Sequence, residues 1–184
     1  MGGIFENKGP TLQRLFSRVV EILSPFLCEE YIAKYYEKLS MRTLEKKNAQ
    51  FKNFPLALYA TDAIFQQANR PSGTLLKGKL YFNGKQKLYG YKTEVSVAPT
   101  GQAIDVTAHK PGSVSGIVIF LGNLDFHQQA LAKHTDDDQD PDTGLLATRY
   151  PDSWAVLLDK GYQGAQQYVR AIIPKKTSWK ITHC

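Results

Sequence analysis

Hydrophobic side chains recur at helical spacing near the amino terminus, where Leu12, Leu15, Phe16, Val19 and Leu23 fall on one stripe of a 3.6-residue period. Ser24-Pro25 is expected to stop that run, because a proline pushes the residue before it out of the α region. Ile32, Tyr35, Tyr36 and Leu39 repeat the spacing. Two short amphipathic helices are therefore predicted, and residues 1–50 form an N-terminal helical segment. They read either as the remnant of a DNA-binding helical region or as packing elements. From Phe54 the period changes, and residues 55–64 read as a buried strand ending in Ala60-Thr61-Asp62. Across residues 89–97 the odd positions Tyr89, Tyr91, Thr93, Val95 and Val97 are apolar or β-prone and alternate with Lys92, Glu94 and Ser96. That alternation predicts a strand with one face in the core.

Pro99-Thr100-Gly101 is a turn signal, and residues 102–108 supply an antiparallel partner strand. Beyond Lys110-Pro111-Gly112-Ser113 the apolar spacing is helical again, with Val114, Ile117, Val118, Leu121 and Leu124 on one stripe. Residues 134–150 are polar and turn-rich around the acidic run from Asp136 to Asp142, which reads as a solvated surface loop. Residues 154–158 form a short apolar strand running into Asp159, and residues 164–169 open a helix before Ile172-Ile173-Pro174. The order strand, hairpin, helix, strand, helix, strand builds an α/β domain over residues 51–184, a mixed sheet flanked by helices.

A chain of 184 residues that is 42% hydrophobic and 22% charged has the composition of one globular core with a short appendage. No apolar run approaches the roughly 20 residues of a membrane span, and the first ten residues lack the apolar centre of a secretory signal. The expectation is an intracellular protein, not secreted. Cys28 and Cys184 are too few for a disulfide framework or a thiolate zinc site and suit a reducing compartment. The net charge of +6 is unevenly spread. Residues 51–100 carry 7 basic and 2 acidic groups, whereas residues 101–150 carry 3 and 7. A basic surface beside localised carboxylates suits a polyanion handled by metal ions, and it also describes an ordinary solvated surface.

Asp62 and Asp159 each follow a hydrophobic strand. If those strands are neighbours, the two carboxylates share one cleft and can hold a magnesium or manganese ion, since hard cations take oxygen ligands. The alternative is that Asp62 caps a turn and Asp159 opens the Asp-Lys-Gly-Tyr turn. The acidic run lacks the glycine and glutamate of a calcium loop. His109, His127, His134 and His183 show no ligand spacing. Lys85, Lys87 and Lys92, together with Lys77 and Lys79 and interleaved with Tyr81, Phe82, Tyr89 and Tyr91, suit nucleic-acid phosphates and bases. A half-exposed hairpin gives much the same string.

Taken in order, five segments resemble the DDE superfamily endonucleases and transposases of the Harbinger and IS5-like group. They are residues 59–66 with Arg70-Pro71 following, 85–92, 109–116, 158–164 and 170–174, and the likeness runs from about Phe54 to Lys176. The resemblance implies a ribonuclease-H-like fold and divalent-metal-dependent cleavage and strand transfer of duplex DNA at transposon ends. It also implies that Asp62 and Asp159 are the first two catalytic metal ligands. A homo-oligomer or a separate DNA-binding partner protein would accompany such a domain, in the nucleus if the source is eukaryotic and otherwise in the cytoplasm. Gln86 stands where the family usually has histidine, and Gly116 where it usually has aspartate. The third acidic ligand of the family lies some tens of residues past the second, whereas the 25 residues after Asp159 contain no Asp or Glu. The expectation is a domain incomplete at its C-terminus, with impaired cleavage. A catalytically inactive DNA-binding or structural remnant is the competing reading, and an unrelated small-molecule enzyme finds no phosphate loop or cofactor fingerprint to support it.

Overall fold

The computed structural model describes residues 9–134 and 142–174. The first helix, α1 (Gly9–Cys28), continues as a π-helical turn over Glu29–Ala33 and a last helical turn, α2 (Lys34–Tyr36). Pro25 lies inside α1 and does not end it, which corrects the expectation of a break there. One proline removes a single backbone donor, and the apolar stripe on either side favours continuing the helix. A separate turn of helix, α3 (Met41–Lys46), starts where the Ser40 hydroxyl accepts from Thr43 N at 3.1 Å. Met41 and Leu44 enter the main core.

Seven strands form one sheet: β1 (Ala57–Gln67), β2 (Phe82–Asn83), β3 (Leu88–Val97), β4 (Ala103–Val106), β5 (Lys110–Pro111), β6 (Ala155–Leu158) and β7 (Ala171–Ile172). The main order is β2-β3-β1-β6-β7, with β4 and β5 on the far edge of β3. β3 runs antiparallel to β1, while β6 and β7 run parallel to it. The helices α4 (Leu75–Tyr81), α5 (Gly116–Gly122) and α6 (Leu124–Leu131) complete a mixed α/β sheet of the ribonuclease-H-like kind. α4 was not foreseen, and it carries Lys77 and Lys79 on a helix rather than on a hairpin. Instead of a helix at residues 164–169 there are 3-10 turns at Lys160–Tyr162 and Ala165–Gln167. No helix among the described residues is long and apolar enough to cross a membrane.

The two faces of the sheet differ. On the inner face Tyr59, Thr61, Glu94 and Ser96 are buried, with Thr61 and Ser96 hydroxyls 2.7 Å apart. Tyr59 and Glu94 both bond His127 of α6, so α6 packs on this face. On the outer face Asp62 pairs with Val95, and Ala60 with Val97, so these side chains point together. The strand predicted over residues 89–97 has one face in the core, and that face is the polar one. The apolar odd positions Val95 and Val97 are only half-buried, and the even positions Glu94 and Ser96 are in the core. His127 meets Glu94 Oε1 and Thr61 meets the Ser96 hydroxyl there. The face of α5 is likewise not the one predicted: Val118 is 57% exposed, and Ile119 and Phe120 are the buried residues.

One close approach fixes the junction of β1 and β3. A Cβ on Gly90 would stand 2.1 Å from the Gln66 carbonyl oxygen, so only glycine fits.

Candidate functional site

Asp62 lies within β1 rather than at its end, as the sequence had suggested, because the strand continues to Gln67. Its parallel partner is shorter: the last β1–β6 pair is Thr61 with Leu158. The next residue on each chain is an aspartate. Parallel partners point to the same face about 4.8 Å apart, so the register carried one residue beyond its last pair sets Asp62 and Asp159 next to each other on the outer face. Asp159 is extended (φ −72°, ψ 166°), continuing the path of β6, and both residues are exposed. The Asp62 Oδ1 also accepts from Ala63 N at 2.7 Å.

Tyr162 ties this pair to the inner face. Its backbone N donates to Asp159 O at 3.1 Å, and its ring packs edge-on against Phe120 at 5.8 Å. Burial pushes its hydroxyl far above the usual phenol range, reinforced by the negative charges of Glu94, Asp62 and Asp159. The hydroxyl therefore feels carboxylates from both faces. It falls outside full hydrogen-bond geometry, as does the buried Glu94 Oε2. Gly116, where the resembled family has aspartate, touches this tyrosine: a Cβ there would lie 3.2 Å from the ring.

Glu94 is otherwise held. His127 donates from Nε2 to Glu94 Oε1 at 3.0 Å, and its Nδ1 accepts from the Tyr59 hydroxyl at 2.9 Å. His127 also stacks on Phe120, with ring centroids 4.0 Å apart. The Tyr59 hydroxyl is raised well above the usual range, by burial first and then by Tyr36, Glu94 and Asp105. Sequence reasoning missed Glu94, His127 and Tyr162. One signal was available: in the basic second quarter the two acidic residues are Asp62 and Glu94.

Asp142 departs from the solvated loop expected of residues 136–142, of which 136–141 lie outside the described residues. Its carboxylate accepts from Arg170 Nη2 at 2.9 Å and from Gly144 N at 3.1 Å, and it pairs with Lys133 at 2.8 Å. Burial opposes ionisation of Asp142, but the Arg170, Lys133 and Gly144 hydrogen bonds outweigh it and hold the carboxyl well below the usual range. Arg170 is fully buried and donates further to Leu145 O and Ser153 O at 2.8 and 2.9 Å. This acid is structural.

Of the lysines, Lys85 and Lys87 are exposed in the β2–β3 turn, Lys87 with φ +56°. Lys92 is half-buried on β3 and donates to Val114 O at 2.6 Å. Burial and the neighbouring Lys85 lower its pKa. Lys85 and Lys87 are thus open to a polyanion, while Lys92 already has a protein acceptor.

Among the described residues no group of three or more His, Cys, Asp or Glu side chains is arranged to hold a metal ion. No family model matches the chain, nor does any curated protein or solved structure.

Proposed function

We propose that this chain is a DDE-type endonuclease domain, resembling those of Harbinger and IS5-like transposases, that binds DNA and one divalent cation and cleaves slowly. The observation carrying this reading is the β1–β6 register, whose last pair is Thr61 with Leu158; carried one residue further it would set Asp62 beside Asp159, and both are exposed. The donor set fits one hydrated ion: two hard carboxylate ligands leave the remaining positions to water, as magnesium sites often do. A bound Mg2+ or Mn2+ would supply Lewis-acid stabilisation of a phosphodiester oxygen. Asp62 and Asp159 would hold it. Tyr162, anchored through its backbone to Asp159, fixes the orientation of that strand end, and Lys85 and Lys87 offer charge to phosphates. With no third carboxylate beside the pair among the described residues, a second ion has too few oxygen ligands. Each 1.4 kcal/mol of lost transition-state stabilisation slows a step about tenfold.

The lack of a third ligand among the described residues also favours a second reading, a DNA-binding protein that keeps the fold without the chemistry. Calorimetric titration with manganese and nicking of supercoiled plasmid separate the two. One weak site lost in both Asp62→Ala and Asp159→Ala, with slow nicking that both substitutions abolish, supports the first. Manganese binding without nicking supports the second, and no manganese binding removes both site assignments.

A further inference from the structure

α1 is an apolar surface that nothing among the described residues buries. It spans 20 residues, about 30 Å, and none of them is buried. Ile22 is 66% and Phe16 62% exposed, values that a helix lying on its own domain does not keep. Successive residues turn by 100°, so the large apolar side chains fill one side of the helix, and Arg14, Ser17, Arg18 and Glu21 take the other. We propose that α1 is a self-association helix, pairing antiparallel with α1 of a second copy of this chain about a two-fold axis at Val19.

Self-complementarity and charge select that partner. An isologous pair brings each residue opposite its mirror position about the axis. About Val19, Leu15 meets Leu23, Phe16 meets Ile22, and Leu12 meets Phe26, so the apolar pattern maps onto itself. The ionic pattern maps onto its opposite. Arg14 and Arg18 lie in the first half, and Glu21, Glu29 and Glu30 in the second half and its π-helical continuation. Antiparallel pairing sets Arg18 one residue from the level of Glu21 of the second copy, whereas a parallel pair would align like charges. Two basic residues on the polar side make a weak attractor for an anionic membrane by comparison.

Light scattering of the 184-residue chain over a hundredfold range of concentration tests the pairing. The expected mass is twice the 20.7 kDa of one chain, falling to one chain in Leu15→Glu/Leu23→Glu. Because α1 buries no side chain, that variant is expected to melt as cooperatively as the wild type, with the midpoint of the wild type diluted below dissociation. Helices packed about 8–10 Å apart, with Cα atoms about 2.3 Å from each axis, bring facing Cα atoms within disulfide range. Val19→Cys in a Cys28→Ser/Cys184→Ser background is therefore expected to oxidise to a covalent dimer. Thr11→Cys is not, since its two copies would lie about 24 Å apart along the pair. A monomeric wild type, including one that sediments with anionic vesicles instead, overturns the proposal. So does a dimer that survives Leu15→Glu/Leu23→Glu, and a dimer without the Val19→Cys cross-link overturns the antiparallel arrangement.

Discussion

The inner and outer faces of this sheet are built from the same strands by opposite means. The inner face buries polar side chains and partners most of their atoms: Tyr59, His127 and Glu94 Oε1 form one chain of hydrogen bonds and Thr61 bonds Ser96, while Glu94 Oε2 and the Tyr162 hydroxyl are left without a partner. The outer face carries Val95, Val97 and Ile64, yet leaves them half-buried or exposed around two adjacent carboxylates. Burial here follows partners rather than hydrophobicity. A buried glutamate next to a histidine donor is tolerable, whereas a valine with no layer above it contributes little.

The largest expected effect comes from breaking the inner network. His127→Ala removes the partner of a carboxyl group with no exposed surface and leaves a cavity beside Phe120, which together cost about 3–5 kcal/mol. Denaturant titration is the check, and a loss below about 1 kcal/mol would show that Glu94 finds another partner or a water. Gly90→Ala should follow at about 1–3 kcal/mol, because the added methyl meets the Gln66 carbonyl at 2.1 Å. On the outer face Ile64→Ala should change the stability of the monomer by no more than about 0.5 kcal/mol, since the side chain is 57% exposed. A much larger loss would mean that this face is covered in solution, and the contrast between the faces would fail.

Acid probes the anchored carboxylate of Asp142. Asp142 has its folded pKa depressed, so its stabilising contribution is fully present above the unfolded value of about 3.9 and is lost as pH falls through the lower folded value. Asp142→Asn should therefore be destabilised at neutral pH, with the gap from wild type closing only below about pH 4. A gap that closes at higher pH would show that the Arg170 and Lys133 bonds do not hold this carboxyl as described.

The strands β1, β3 and β6, the β3–β4 hairpin and the helix after it were legible from periodicity, whereas α4 and the 3-10 turns in place of a helix at residues 164–169 were not. The side of the strand was not. In β3 the apolar alternation is real, but Glu94 and Ser96 go inward because His127 and Thr61 supply partners 33 and 35 residues away in the chain. No local pattern encodes a partner at that distance. Asp62 and Asp159 were legible because each follows an apolar run, but their adjacency rests on a register that only the folded sheet fixes. Tyr162 sat inside a segment already singled out, and its link to both faces needed the packing of α5 to be seen.

The smallest expected effect is also the sharpest for the site, because its sign reverses with metal. Without metal, two like charges side by side on neighbouring strands repel, and cross-strand pairs of this kind matter at the level of a few tenths of a kcal/mol. Asp62→Asn should then raise the melting temperature slightly in buffer containing a chelator. With manganese present the wild type should gain stability as RT ln(1 + [L]/Kd), about 1.4 kcal/mol at tenfold saturation, and the variant should not. The two melting curves are thus expected to cross between chelator and manganese. Thermal melts of both chains in the two buffers decide the matter. A variant that is less stable in chelator would show that the Asp62 carboxylate serves the fold through its bond to Ala63 N. Equal manganese gains in both chains would show that the ion binds elsewhere, and the proposal that Asp62 is a ligand would fail.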